Sequence, residues 1–432
     1  MPFPVGRPVV KEYVVILEKW VSQGVMLMNP GCFEERYLDL FFRWQRYQWE
    51  NYASDGSWDL NEVDAQLFSL FDSTRDMPRP AGRRGEVLGH IIDRGLVDQH
   101  PEVARLRNRI DTMHPRSAAV DRGQLRTTVL RLMHLRDGLA QERGHPSYVD
   151  LVLGIQDFDR DEIRALVEGY LHGNLDEAVG LIARHELTWE DWFSGLEAIG
   201  EVPVNPEDLV DRLLRALGYE AEIQRPGVLM KEQPISGYVG VLSVPDDVRI
   251  LVRPVRSLQG AMTLLHESGH ALAHRFNRAE GIFKTWTSLH DEVMAVLVER
   301  IGIHVLMGAR CRETAATLSL LEGVRVATSF LFELDLWAYP SEAEDLYMRH
   351  YGRLGLKIPD PGIWVADTFR SLDPVYIHSY LAGEMVAEKA VPHLVHQFGE
   401  DLPMWGSWLR ENCFADGRRR SLREKVAPLM PW

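Results

Sequence analysis

His266, Glu267 and His270 stand in the pentapeptide His-Glu-Ser-Gly-His. Residues four apart on a helix lie one above the other, so both imidazoles can reach one metal ion. The glutamate beside the first histidine is then placed to take a proton from a water at that metal. Met262, Leu264, Leu265, Ala271 and Leu272 surround the motif with apolar side chains, as a helix buried in a protein requires. The chemistry these residues suit is hydrolysis at a zinc ion, with Glu267 as general base.

A hydrolytic zinc takes three protein ligands and leaves one position for water. A glycine and a histidine three and six positions after His270 would complete one kind of set, but Ala273 and Phe276 stand there. The other route is a carboxylate from a second helix. Residues 288–299 have helical period and carry Glu292, and the turn-like stretch 277–284 lets that helix return antiparallel to the first. The small Ala295, one turn on, suits a close approach. Glu292 is the preferred third ligand. Glu280, in the connecting turn, and Asp291, off that face, are its competitors. Glu299 shares the face of Glu292 and fits either a hydrogen bond to a ligand histidine or an arginine-paired structural role. His274 continues the four-residue spacing and reads as packing or as support for a ligand.

The elements that must position these groups are mostly helical. Apolar periodicity predicts helices over 9–28, 35–52, 60–74, 101–112, 122–142, 160–185, 205–217 and nearly everything beyond 257. Proline and glycine mark 77–86 as loop and 201–206 as a break. Residues 238–244 and 248–253 are β-branched runs around Pro245-Asp246-Asp247, which predicts a hairpin just ahead of the motif helix. Such a hairpin is either purely structural or an edge that holds an extended peptide through its backbone. The aromatics over 41–49 have helical spacing and predict core packing of an N-terminal helical lobe rather than a stacking platform. No internal repeat is present.

The 432 residues are 45% hydrophobic and 26% charged, as in a soluble globular protein. A net charge of −15 argues against nucleic acid or an anionic membrane as partner. No continuous apolar run reaches the ~18 residues of a membrane span, and the first residues lack the plan of a secretion signal. Cys32, Cys311 and Cys413 are scattered, with no metal-like spacing, and fit thiols in a reducing compartment. A cytoplasmic location is expected.

Several segments resemble the helical gluzincin peptidases: oligoendopeptidase F and thimet oligopeptidase, carboxypeptidase Taq and, more distantly, angiotensin-converting enzyme. The zinc-helix stretch 266–274, Glu292 with Ala295 and Glu299, and the strand 247–253 carry the likeness. So do Arg136-Asp-Gly-Leu-Ala140 with Gly144-His-Pro-Ser-Tyr148, and the helix 330–336. The resemblance covers about 130–400; residues 1–115 match nothing placed. It implies a mainly α, two-lobed helical zincin with a small β-sheet beside the zinc helix. A deep cleft would admit short peptides and exclude folded proteins. It further implies an N-terminal, lid-like helical lobe over 1–130 and a catalytic lobe over 131–432. Tyr376, His378 and Tyr380 occupy the place from which this family supplies donors to the oxyanion, and Tyr376 and Tyr380 share a helix face. The histidine that thimet oligopeptidase carries upstream of that pair is missing, with Trp364, Asp367 and Thr368 in its stretch. The expected activity is Zn2+-dependent hydrolysis of short peptides, or of a small amide metabolite on the same scaffold, by a monomer or homodimer. Arg249, Arg253, Arg256 and Arg349 all offer a cation for a substrate carboxylate, and the sequence selects none.

Overall fold

The computed structural model describes residues 29–54, 60–113, 120–206, 208–220, 223, 225–233 and 235–430. The helix expected over 9–28 lies outside them. The first helices are α1 (Pro30–Ala53), α2 (Leu60–Ser73), α3 (Arg83–Asp98), α4 (Pro101–Thr112), α5 (Arg122–Glu142), α6 (Tyr148–Ile155), α7 (Arg160–Arg184), α8 (Trp192–Ile199) and α9 (Leu209–Ala216). Strands β1 (Gly227–Met230), β2 (Gly237–Ser243) and β3 (Asp247–Val252) follow. The rest is helical: α10 (Leu258–Phe276), α11 (Ser288–Leu306), α12 (Ala309–Ala338), α13 (Ala343–Gly352), α14 (His378–Phe398), α15 (Leu402–Leu409) and α16 (Leu422–Val426).

The long helices match the expected ranges closely. Helix α3 is a correction, because it begins inside the stretch read as loop, after Gly82 turns the chain at φ 75°. Helices α6 and α8 fall outside the expected ranges; eight residues each are too few for a period to show. The hairpin 238–244/248–253 forms as β2 and β3, antiparallel with Val239 opposite Ile250. Strand β1, not foreseen, adds to the far side of β3 in parallel, with Val228 opposite Ile250. It is short and mostly exposed, so no alternation marked it.

Two capped helices carry the motif residues. Ser257 accepts from Gly260 N at the start of α10, and Thr287 accepts from His290 N at the start of α11. They touch where both are small: a Cβ on Gly269 would lie 2.6 Å from Ala295 Cα, so only glycine permits this crossing. A Cβ on Gly383 of α14 would likewise meet Val296 at 2.7 Å, which brings the third helix onto α11.

One large apolar cluster runs from Val97 to Leu429 and contains the faces of α10, α11 and α12. A smaller one is built from Phe33, Leu67, Phe71, Val87 and Ile92 of α1–α3, and it takes in Ile282 from the α10–α11 link. Buried Glu34 anchors that link: it pairs with Arg84 at 2.7 Å and accepts Ile282 N–H at 3.3 Å. Gly281 stands beside it at φ 59°, where a Cβ would meet Glu34 Oε2 at 2.2 Å. The aromatic stretch of α1 packs as expected: Trp49 lies against Leu242 and Leu251 of the sheet, and Trp44 and Tyr47 lie on the smaller cluster. Among the described residues one helix, α12, is long and apolar enough to cross a membrane, but 78% of that window is buried inside the fold.

Candidate metal centre

His266 and His270 project one turn apart from α10, their rings 4.9 Å apart and nearly perpendicular. Glu292 comes up from α11 between them. Its Oε2 lies 3.1 Å from His266 Nε2 and 3.8 Å from His270 Nε2. One ligand atom from each of the three falls within 4.8 Å of the others. Glu292 is 3% exposed, and its Oε2 receives no well-aligned hydrogen bond, so a buried acceptor is aimed at the gap the two imidazoles face.

Each of the other ring nitrogens has a carboxylate oxygen near it. His266 Nδ1 lies 3.2 Å from Glu299 Oε2, and His270 Nδ1 lies 2.9 Å from Asp291 Oδ1. A carboxylate on Nδ1 leaves Nε2 free for a metal and makes it a better donor. Glu299 therefore takes the histidine-supporting role rather than the arginine-paired one. Asp291, weighed only as a rival ligand, supports His270 and also reaches His274 Nε2 at 3.3 Å. Glu280 is no ligand, since its side chain is 90% exposed.

Three carboxylates around two largely enclosed imidazoles call for positive charge. Burial resists charging His266, but Glu292 and Glu299 outweigh it and hold its pKa well above the usual value. Burial resists it at His270 too, where Asp291 and Glu292 raise the value to about 9. Two imidazole nitrogens and one carboxylate oxygen are a donor set that fits zinc.

Glu267 is turned toward the sheet. A Cβ on Gly237, the first residue of β2, would lie 2.3 Å from Glu267 Oε1, so the strand begins against this carboxylate because the residue is glycine. Burial pushes the pKa of Glu267 up, which favours a group that must pick up a proton.

An irregular segment supplies the opposite rim. Turns at Pro361–Ala366 and Thr368–Arg370 lead to Val375 and Tyr376 before α14 starts. Buried Arg136 of α5 ties this segment down, donating to Ser371 O at 2.6 Å and Leu372 O at 3.3 Å. The Tyr376 hydroxyl donates to Glu292 Oε1, so it steadies the carboxylate that faces the histidines. The Tyr380 ring lies 6.1 Å from that of His266 and 5.8 Å from that of Tyr376. Burial, with Glu292 and Glu267 nearby, holds the Tyr380 pKa well above its usual value, so the phenol stays a neutral donor. His378 is a correction. It is buried, stacked on Phe330 at 4.5 Å, and its Nε2 is 2.6 Å from Gln156 Oε1. Burial lowers its pKa to about 3, and it serves the core rather than the rim.

Three of the four candidate arginines have partners away from this cluster: Arg249 pairs with Asp247, Arg256 with Glu232, and Arg253 donates to Gln233 O. Arg349 is exposed near the end of α13.

No protein-family model matches this chain, and no curated protein matches it in sequence. Solved structures do match. PZ peptidase A, solved with an inhibitor, gives a TM-score of 0.69 at 14% identity over 99% of this chain and 95% of that one. The M32 carboxypeptidase from Deinococcus radiodurans R1 gives 0.64 at 15% identity over 92% and 93%. A Bacillus anthracis structure assigned to oligoendopeptidase F gives 0.61 at 13% identity over 99% and 94%. The chain thus has, along nearly its whole length, the mainly helical fold of these peptidases. At such identities the likeness is one of fold.

Proposed function

We propose that the chain is a zinc-dependent peptidase acting on short peptides, with His266, His270 and Glu292 as ligands and Glu267 as general base. The observation that carries this reading is the convergence of His266 Nε2, His270 Nε2 and Glu292 Oε2, with Glu267 beside them and a carboxylate behind each imidazole. A zinc ion held there supplies Lewis acidity, activating water and polarising the scissile carbonyl.

The protein's own groups do the rest. Glu267 takes the proton of the attacking water at its carboxylate and returns it to the leaving amine. Tyr380 donates its phenol hydrogen to the oxygen on which negative charge develops. Tyr376 holds Glu292 in register for the ion. Among the described residues strand β2 has a partner strand on one side only, and it begins against Glu267, so an extended substrate backbone pairs with it and brings its carbonyl to the site. In this reading the first 130 residues form the lid-like lobe over a cleft, and residues 131–432 the catalytic lobe. All three cysteines are free thiols, which supports a reducing, cytoplasmic setting.

A mixed library of short peptides, incubated with the zinc-loaded protein and read by mass spectrometry, tests the proposal with Glu267→Gln as the blank. Cleavage that vanishes in the variant supports it, and the positions cut separate stepwise C-terminal trimming from internal cleavage. A zinc-loaded protein that cuts no peptide, but hydrolyses a compact amide in a Glu267-dependent way, would replace it with the small-metabolite amidase.

A further inference from the structure

Val375 is a buried, β-branched residue at φ 58°. That left-handed conformation is costly for such a side chain and persists only where the surroundings enforce it. It stands one residue before Tyr376 and five before Tyr380. What holds it is visible: the Val375 N–H donates to Glu333 Oε1 at 2.8 Å.

Glu333 is an unusual side chain for its place. It lies within the core helix α12, 1% exposed, and makes no salt bridge with any described residue. Neighbouring Arg370 is committed to Asp367, Ser329 and Tyr351. A carboxyl in such a position is disfavoured unless a specific contact needs it. Burial pushes its pKa up to about 7, with Arg370 only partly opposing. An apolar residue would suit the packing better, so the contact to Val375 is the feature that explains an acceptor oxygen here.

We infer that Glu333 is a positioning residue, whose acceptor oxygen holds the left-handed turn at Val375 and thereby sets where Tyr376 meets Glu292 and where Tyr380 meets the substrate. The inference rests on the peptidase reading for its catalytic part. The turn itself does not. Three variants separate a positioning role from a packing one. Glu333→Leu removes the acceptor while keeping an apolar side chain of similar size. Glu333→Gln keeps an acceptor oxygen without the acid. Val375→Gly makes the positive φ acceptable without help.

Two readouts are needed: steady-state kinetics of the zinc-loaded protein, and hydrogen–deuterium exchange of the segment 372–377. Glu333→Leu is expected to speed exchange there and to lower kcat by about 10²-fold, the scale of a small displacement of a catalytic group, with KM little changed. Glu333→Gln should restore most of both. In the Val375→Gly background, Glu333→Leu should cost far less. Unchanged exchange in Glu333→Leu would overturn the clamp whatever the activity. Faster exchange with kcat intact would overturn the positioning role, and a Gln variant as impaired as Leu would show that the charge, not the acceptor, matters. A wild-type protein that cuts no peptide would remove the peptidase reading, while exchange would still decide whether Glu333 holds the turn.

Discussion

His266, His270 and Glu292 stand on two regular helices that touch at Gly269 and Ala295, whereas Tyr376, and Tyr380 in the first turn of α14, follow a segment of broken turns that ends in a left-handed valine. The first half of the site is fixed by local rules: a four-residue spacing, capped helix starts, and a glycine where two backbones approach. The second is fixed by contacts from far along the chain, Arg136 to the carbonyls of Ser371 and Leu372 and Glu333 to the N–H of Val375. A metal needs ligand atoms at fixed distances, which rigid helices supply. In the proposed reading the donor to a developing charge, Tyr380, must meet a substrate that comes and goes, and it stands in the first turn of α14, into which an anchored loop leads.

Substitutions can break this contrast or sharpen it. The largest effect is expected for Glu267→Gln, with kcat down by about 10²–10⁴-fold while zinc content, read by elemental analysis, stays at wild type. Loss of zinc in that variant would place Glu267 among the ligands. Tyr380→Phe should lower kcat by about 10²–10³-fold, as removal of one donor to an oxyanion does, again without metal loss; a changed KM alone would move Tyr380 from chemistry to binding. Asp291→Asn tests the helical half from behind. It should weaken zinc by about 10–100-fold, measured by chelator competition, and a variant with unaltered affinity would reduce the Asp291–His270 contact to packing.

The mildest change in rate belongs to Glu333→Gln, whose signature is in stability. A carboxyl whose pKa rises from the usual 4.5 to about 7 on folding binds a proton more tightly in the native state. Native stability therefore falls as pH rises between those values and stays lowered above them. The amide has no such dependence. Chemical denaturation at pH 5 and pH 8 should show its advantage over wild type growing by about 1–3 kcal/mol. No growth would mean that Glu333 is not a neutral acid at low pH in the folded protein.

The sequence made the helical half readable because its information is periodic. His266, Glu267 and His270 announce themselves by spacing, and Ala295 signalled the close approach that places Glu292. Asp291 was visible as a residue but not as a partner of His270, because which face of α11 meets α10 depends on the crossing at Gly269. The rim was legible only in composition. Tyr376, His378 and Tyr380 sit within five positions, yet one steadies a carboxylate, one is packed under Phe330, and one stays at the site. Nothing local distinguishes them; the difference arises from the turn at Val375, and a positive φ at a valine leaves no trace in spacing. Gly237 had no signal either, since the meaning of a missing side chain depends on what stands opposite.

The link between α10 and α11 is gripped by the lobe that α1–α3 build, through Glu34, Gly281 and Ile282. In the proposed reading an ion bound by both helices would exchange free energy with the folding of α1–α3, because each fixes the same connection. By mass action, a ligand that binds only the intact arrangement stabilises everything that arrangement requires. Chelation should thus lower the melting temperature of α1–α3, although none of the proposed ligands stands on them, and a truncation that unravels these helices should be felt as weaker zinc.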